Sequence, residues 1–108
     1  MMVPMSVQLC CLLWARPGRR AELSAYEDKV LPLVADHGGT VVSRVISADP
    51  GRDDPGDEDP DEVQVFDFEN RAALDAYLAD PRRTALHAER DDVVARTRLF
   101  GVRIVSDR

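Results

Sequence analysis

A chain of 108 residues, 44% of them hydrophobic and with a formal charge of −6, is long enough for one domain with a modest core and too short for a second. No apolar run approaches the length of a membrane span, and no basic cluster is longer than Arg19-Arg20 or Arg82-Arg83, which excludes nucleic acid and anionic membrane as partners. Met1 to Ser6 has neither the basic flank nor the extended apolar core of a secretory signal, so a cytoplasmic location is expected.

The first predicted element is a strand, Val7 to Trp14 (V-Q-L-C-C-L-L-W), closed by the Pro17-Gly18 turn. Both of its faces are largely apolar, which places it in a sheet covered on both sides. Cys10 and Cys11 are adjacent on it and point to opposite faces, so neither a mutual disulfide nor a shared metal is expected. A helix follows from about Arg19 to Asp36, with Leu23, Tyr26, Val30, Leu33, Val34 and His37 on one stripe. Pro32 inside it predicts a kink, and Gly38-Gly39 ends it.

Thr40 to Ala48 is the second strand. Residues 49–61, composed of Asp, Glu, Pro and Gly with a single arginine, predict a flexible acidic loop whose aspartates lack the spacing of a calcium site. Glu62 to Glu69 is the third strand. Asn70 caps a helix to about Ala79, and Asp80-Pro81 starts another that runs to about Ala95. Arg96 to Val105 is the last strand.

The order strand, helix, strand, strand, helix, strand is the ferredoxin-like α+β arrangement: a four-stranded antiparallel sheet with its helices on one face, in one domain spanning 1–108. The other face would expose apolar side chains, so a homodimer packed sheet against sheet is expected. By alternation, Val7, Leu9, Cys11, Leu13, Val63, Val65 and Leu99 are assigned to the dimer face, with Asp67 and Arg103 as an ion pair at its edge. The helix face receives Gln8, Cys10, Leu12, Trp14, Gln64, Phe66, Phe68, Phe100, Val102 and Ile104.

Gln8 and Gln64 then point at helices that should bury hydrocarbon, opposite Tyr26 and Tyr77. These four groups either satisfy one another or line a wet, ligand-sized cleft. Arg44 falls on the helix side, at the mouth of such a cleft or past the sheet edge. His87 is either a general base or a solvated surface residue, and His37 reads as a structural helix end. Two histidines and two opposed cysteines form no recognisable metal-ligand set, and no glycine-rich nucleotide loop or serine elbow is present.

The segments Y-E-D-K-V-L-P-L-V-A-D-H-G-G (Tyr26 to Gly39) and V-F-D-F-E-N-R-A-A-L-D-A-Y-L-A-D-P (Val65 to Pro81), with the element order, resemble the dimeric α+β barrel superfamily of antibiotic-biosynthesis monooxygenases and polyketide cyclases. The resemblance covers nearly the whole chain. It implies a pocket between sheet and helices where, in the cyclases, a tyrosine of the second helix and a histidine just past the next proline act on a polyketide. Tyr77 matches the tyrosine, and Arg83 stands where the histidine would be, with His87 one turn further on. The superfamily's cofactor-free monooxygenases activate an aromatic or polyketide substrate as its own carbanion.

The expected function is therefore a cofactor-independent cyclase, isomerase or monooxygenase of secondary metabolism acting on an enolisable or aromatic, polyketide-like small molecule. Tyr77, His87 and Arg83 are the expected catalytic groups, with Gln8, Trp14, Tyr26, Gln64, Phe66 and Arg44 lining the site and no metal. The competing expectation is a non-catalytic small-molecule-binding or stress-associated barrel protein.

Overall fold

The structure, a computed structural model, describes residues 6–48 and 59–105, so that all but the last three residues of the acidic segment 49–61 lie outside it. The elements are β1 (Val7–Ala15), α1 (Arg20–Val30), α2 (Pro32–Asp36), β2 (Gly39–Ile46), β3 (Glu62–Phe68), α3 (Arg71–Leu78), α4 (Pro81–Thr84), α5 (His87–Val93) and β4 (Val94–Gly101). The strands form one antiparallel sheet in the order β2-β3-β1-β4. This is the ferredoxin-like arrangement, with the helices on one face.

The two long helical segments read from the sequence are each divided. Pro32 does more than kink the first: Leu31 keeps helical dihedrals and donates to Glu27 at 2.9 Å, and Pro32 then opens α2. Proline cannot donate to the carbonyl four residues back and its ring crowds it, which ends α1 at Val30. The second helix starts as its signals require, with Asp80 accepting from the Arg82 amide at 2.8 Å and Pro81 at the first position. It then breaks at Ala85-Leu86 and resumes as α5. Asn70 caps α3 by accepting from the Ala73 amide at 2.8 Å.

The largest correction concerns the faces of β1. Residues directly opposite one another in an antiparallel pair point the same way. The β1–β3 register pairs Leu9 with Phe66, Cys11 with Gln64 and Leu13 with Glu62, so Val7, Leu9, Cys11 and Leu13 lie on the helix face. Gln8, Cys10, Leu12 and Trp14 lie on the open face, contrary to the alternation-based assignment. The β1–β4 register sets Cys11 against Leu99 and Cys10 against Phe100, exchanging those two residues as well. Within β1 from Val7 to Trp14 and within β3 the alternation holds, while β2 shifts register between Val41 and Ser43; the relative parity of the strands was undetermined because both faces of β1 are apolar. Val63 and Val65 stay on the open face, and Gln64, Phe66 and Phe68 on the helix face.

Gln8 therefore faces away from the helices. Its Nε2 donates to Asp67 at 3.2 Å and its Oε1 accepts from the Ile104 amide at 2.7 Å, so Asp67 is engaged by Gln8 where a contact with Arg103 was expected. Trp14, also on the open face, stacks under the Arg96 guanidinium at 4.3 Å.

The core between sheet and helices comprises Leu9, Cys11, Leu13, Phe66 and Phe68 from the strands and Leu23, Tyr26, Val30, Leu33, Val34, Leu74, Tyr77 and Val93 from the helices. Each fully buried large side chain contributes roughly 1.5–3 kcal/mol. Asp61, assigned to the loop by composition, is tied down: its carboxylate accepts from the Ala15 amide at 2.8 Å and pairs with Arg20 at 3.2 Å.

Gly39 marks where α2 meets the sheet, since a Cβ there would stand 2.6 Å from the Phe68 ring and 2.7 Å from Val34. Gly39→Ala is expected to destabilise the fold by about 1–3 kcal/mol through overpacking. A urea midpoint unchanged from the parent chain would contradict this close approach.

Candidate functional site

Three residues on the helix face of the sheet and on α1 define an unusual core. Glu27 follows Tyr26 on α1 and lies on the same stripe as Leu23 and Val30, so the helix carries a carboxylate into the interior. Glu62 and Gln64 alternate with Phe66 and Phe68 on β3 and face the same way. All three are buried, Glu27 to 6% exposure, Glu62 to 2% and Gln64 to 1%.

The Gln64 amide nitrogen bridges the two acids, donating to Glu27 Oε1 at 2.9 Å and to Glu62 Oε2 at 2.7 Å. Arg44, reaching over from β2, neutralises Glu62 with Nε at 2.6 Å, and spends its other nitrogens on Asp28 at 2.7 Å and the Ser24 carbonyl at 3.1 Å. Among the described residues, Glu27 has no such counter-ion in contact. The two acids thus meet different environments through one shared amide.

The consequence is electrostatic. Burial pushes the Glu27 carboxyl above its ordinary range; the Gln64 hydrogen bond pulls it back, the Glu62 charge raises it again, and Arg44 and Arg83 act from a distance in the lowering sense. Burial likewise raises both phenols, with Arg83 opposing it at Tyr26 and Tyr77, so each tyrosine is a hydrogen-bond donor at neutral pH. The Cys11 thiol is pushed up to about 12, chiefly by burial, which makes it an inert wall group.

Glu27 and Gln64 form part of the wall of a cavity of about 160 Å³ between the sheet and the helices. Tyr26, Tyr77, Phe66 and Arg83 line it too, with Cys11, Leu9, Leu13 and Phe68 on the sheet side and Arg90, Thr97 and Leu99 toward β4. A space of this volume holds a molecule the size of one aromatic ring. Thr97 and Leu99 are exposed, which places the opening at the β4 edge.

Arg83 supplies the feature most suggestive of a ligand. Its guanidinium lies over the Tyr77 ring at 5.1 Å and Nη1 donates to the Leu78 carbonyl at 3.3 Å. Its Nε is buried with no hydrogen-bond partner. An orphaned guanidinium N–H in a cavity wall is a vacant donor for a ligand oxygen.

The expected site residues thus separate into groups. Tyr26, Gln64, Phe66, Tyr77 and Arg83 meet in one cavity. Arg44 lies behind it, holding Glu62. Gln8 and Trp14 are on the other side of the sheet, and His87 is exposed at the start of α5, outside the lining. The helix break at Ala85-Leu86 changes the phase, giving the inward position to Leu86, which packs on the core. His37 pairs with Asp80 at 2.7 Å, bracing α2 against α4.

Glu27, Glu62 and Arg90 were missed. Glu62 was legible in principle, since it shares the parity of Gln64, whereas the burial of Glu27 depends on the opposing strand. Among the described residues, no cluster of three or more His, Cys, Asp or Glu side chains is arranged to hold a metal ion, and no helix is long and apolar enough to cross a membrane.

Sheet order, helix placement and the pocket between the two layers define a ferredoxin-like α+β protein. No protein-family model matches the sequence, and no curated protein is detectably similar to it. Among solved structures, a protein of unknown function from Rhodopseudomonas palustris is similar with a TM-score of 0.73 and 22% identity, over 96% of this chain and 85% of that one. A putative antibiotic biosynthesis monooxygenase from Bacteroides thetaiotaomicron gives 0.70 and 17%, over 94% and 91%. A dimeric protein of unknown function and ferredoxin-like fold from Bacteroides fragilis gives 0.67 and 12%, over 92% and 96%. Identities this low establish a common fold and leave chemistry to the residues of the site.

A carboxyl whose value is raised on folding favours the folded state below its ordinary pKa and loses that contribution as pH rises through the raised value. Glu27→Gln retains an acceptor for Gln64 and removes the charge. It is expected to stabilise the chain by about 1–2 kcal/mol at pH 8 and to change little at pH 4. Urea unfolding at the two pH values measures this; a variant less stable than the parent at pH 8 would show that Glu27 is not strained by burial.

Proposed function

We propose that the protein is a cofactor-independent enzyme that removes a proton from a ring-sized enolisable or phenolic substrate. This is the step with which a cyclase, an isomerase and a substrate-activating monooxygenase alike begin. The observation carrying the proposal is the pairing, in one cavity, of a buried carboxyl of raised pKa with an unpartnered guanidinium N–H.

Glu27 is the base. Its carboxylate takes the proton, and the electron pair released settles on the substrate oxygen as an enolate or phenolate. Arg83 Nε and the Tyr77 hydroxyl donate to that oxygen, where charge develops, in a site that excludes bulk water. Tyr26, Gln64 and Phe66 form the walls, and Gln64 keeps Glu27 turned toward the cavity. Arg44 acts at one remove by neutralising Glu62, so that Glu27 can ionise beside it. A raised pKa suits this role, because a base is most effective when its pKa lies near the working pH.

The test is hydrogen–deuterium exchange at the α-carbon of a cyclic β-keto ester, followed by NMR. Exchange is expected to exceed the buffer rate and to fall by about 10²–10⁴-fold in Glu27→Gln. The rate should climb with pH through a value above that of an ordinary glutamate, since the base must be deprotonated. Tyr77→Phe should cost about tenfold or more through loss of an oxyanion donor. Exchange equal in parent and Glu27→Gln would remove the base and leave a barrel that holds its ligand without turnover.

The same protein is proposed to act as a homodimer. Cys10, Leu12, Trp14, Val63, Val65 and Phe100 form a half-buried, largely apolar open face, which a second copy would cover. The dimeric Bacteroides fragilis neighbour supports the arrangement. Sedimentation velocity at micromolar concentration is expected to give twice the chain mass, and Val65→Asp to shift it toward one chain; a single-chain mass for the parent protein would end the dimer reading.

A further inference from the structure

The wall of the cavity is unevenly charged. Arg83 and Arg90 both line it, and among the described residues neither guanidinium has a carboxylate in ion-pair contact. Arg90 donates through Nη2 to Thr97 Oγ1 at 2.8 Å, while its helix neighbour Glu89 is held by Lys29 at 2.8 Å. Of the other arginines, Arg20 pairs with Asp61, Arg44 with Glu62 and Arg82 with Asp80, while Arg96 and Arg98 stack on rings of the open face. The chain has 20 acidic residues against 14 basic ones, so acids are in surplus and two arginines on one cavity still lack them.

Only one carboxyl, that of Glu27, is part of the lining; Glu62 lies behind Gln64 and is already balanced by Arg44. The wall is therefore net positive even with Glu27 ionised. A neutral ligand would leave that charge, and the buried Arg83 Nε, uncompensated. Arg90 is half-buried on the side where exposed Thr97 and Leu99 mark the opening, whereas Glu27 sits at the buried end.

We propose that the ligand of this cavity is a monocyclic carboxylic acid, a hydroxyaryl acid or a cyclic β-keto acid, with its carboxylate at Arg90 near the opening and its ring oxygen at Arg83 Nε. The inference rests on reading the cavity as a ligand site and adds the charge of the ligand. It explains why the two arginines are spared the protein's own acids: each is left for a ligand oxygen, and the pair sets the order in which the molecule enters, ring first.

The test compares 2-hydroxybenzoate with its neutral isostere 2-hydroxybenzamide by calorimetric titration of the intact chain. The acid is expected to bind about tenfold or more tightly than the amide, as for a hydrogen-bonded charge pair. Arg90→Gln should erase most of that preference, while Arg83→Gln, which removes the donor to the ring oxygen common to both probes, should weaken acid and amide alike. Arg90, being half-exposed, provides a variant whose folding is not in question, and Arg90→Lys should keep part of the preference through charge alone. Equal binding of acid and amide, an acid preference undiminished in Arg90→Gln, amide binding undiminished in Arg83→Gln, or no binding of either probe would overturn the proposal. Glu27-dependent exchange without acid preference would sink the charge assignment and leave the enolate chemistry; arginine-dependent acid binding without exchange would do the reverse.

Discussion

One side-chain amide organises this protein. Gln64 donates both of its N–H bonds to carboxylates, Glu27 on α1 and Glu62 on its own strand, at 2.9 and 2.7 Å in the interior. Two acids this close in a low-dielectric core repel one another, and the arrangement survives because Arg44 cancels one of the charges and Gln64 spans both. Arg44 in turn reaches Asp28 and the Ser24 carbonyl on α1. The network therefore fixes α1 over β2 and β3, and with it the height of the space between the layers. A purely hydrocarbon core would pack more simply, and every carboxylate held here needs its partner to stay buried.

The cavity follows from this spacing. On the sheet side its floor is Leu9, Cys11, Gln64 and Phe66; on the helix side Tyr26, Glu27 and Tyr77 form its roof, with Arg83 closing one wall. Its polar groups have distinct capacities. The two phenols and Arg83 offer hydrogen-bond donors at neutral pH, and Glu27 is the one carboxyl in the lining. Donors and a single carboxyl thus stand together over a largely apolar floor.

The open face of the sheet has a different character. Its apolar residues are accompanied by arginines stacked on rings, Arg96 on Trp14 at 4.3 Å and Arg98 on Phe100 at 5.2 Å. These stacks let the long side chains cover hydrocarbon while their charges stay in water. Gln8 and Trp14, expected on the helix face as substrate-binding residues, lie here instead, Gln8 tying Asp67 of β3 to the Ile104 amide and Trp14 stacking with Arg96.

The sequence by itself determined the element order, the caps at Asn70 and Asp80-Pro81, the helix end at Gly38-Gly39 and, through alternation, the shared face of Gln64, Phe66 and Phe68. These are local properties, carried by backbone stereochemistry and by the period of the apolar residues, and they sufficed for the ferredoxin-like fold and for bringing Tyr26, Tyr77 and Arg83 to one place. Tertiary structure alone decided which face of β1 meets the helices, because a strand apolar on both sides fits either parity and only pairing with β3 selects one. It also decided the phase of α5, which turned His87 outward once the helix broke at Ala85. Burial of Glu27 beside Gln64 belongs with these: a glutamate on an amphipathic stripe reads as an edge residue until the opposing strand supplies the amide that lets it enter the core.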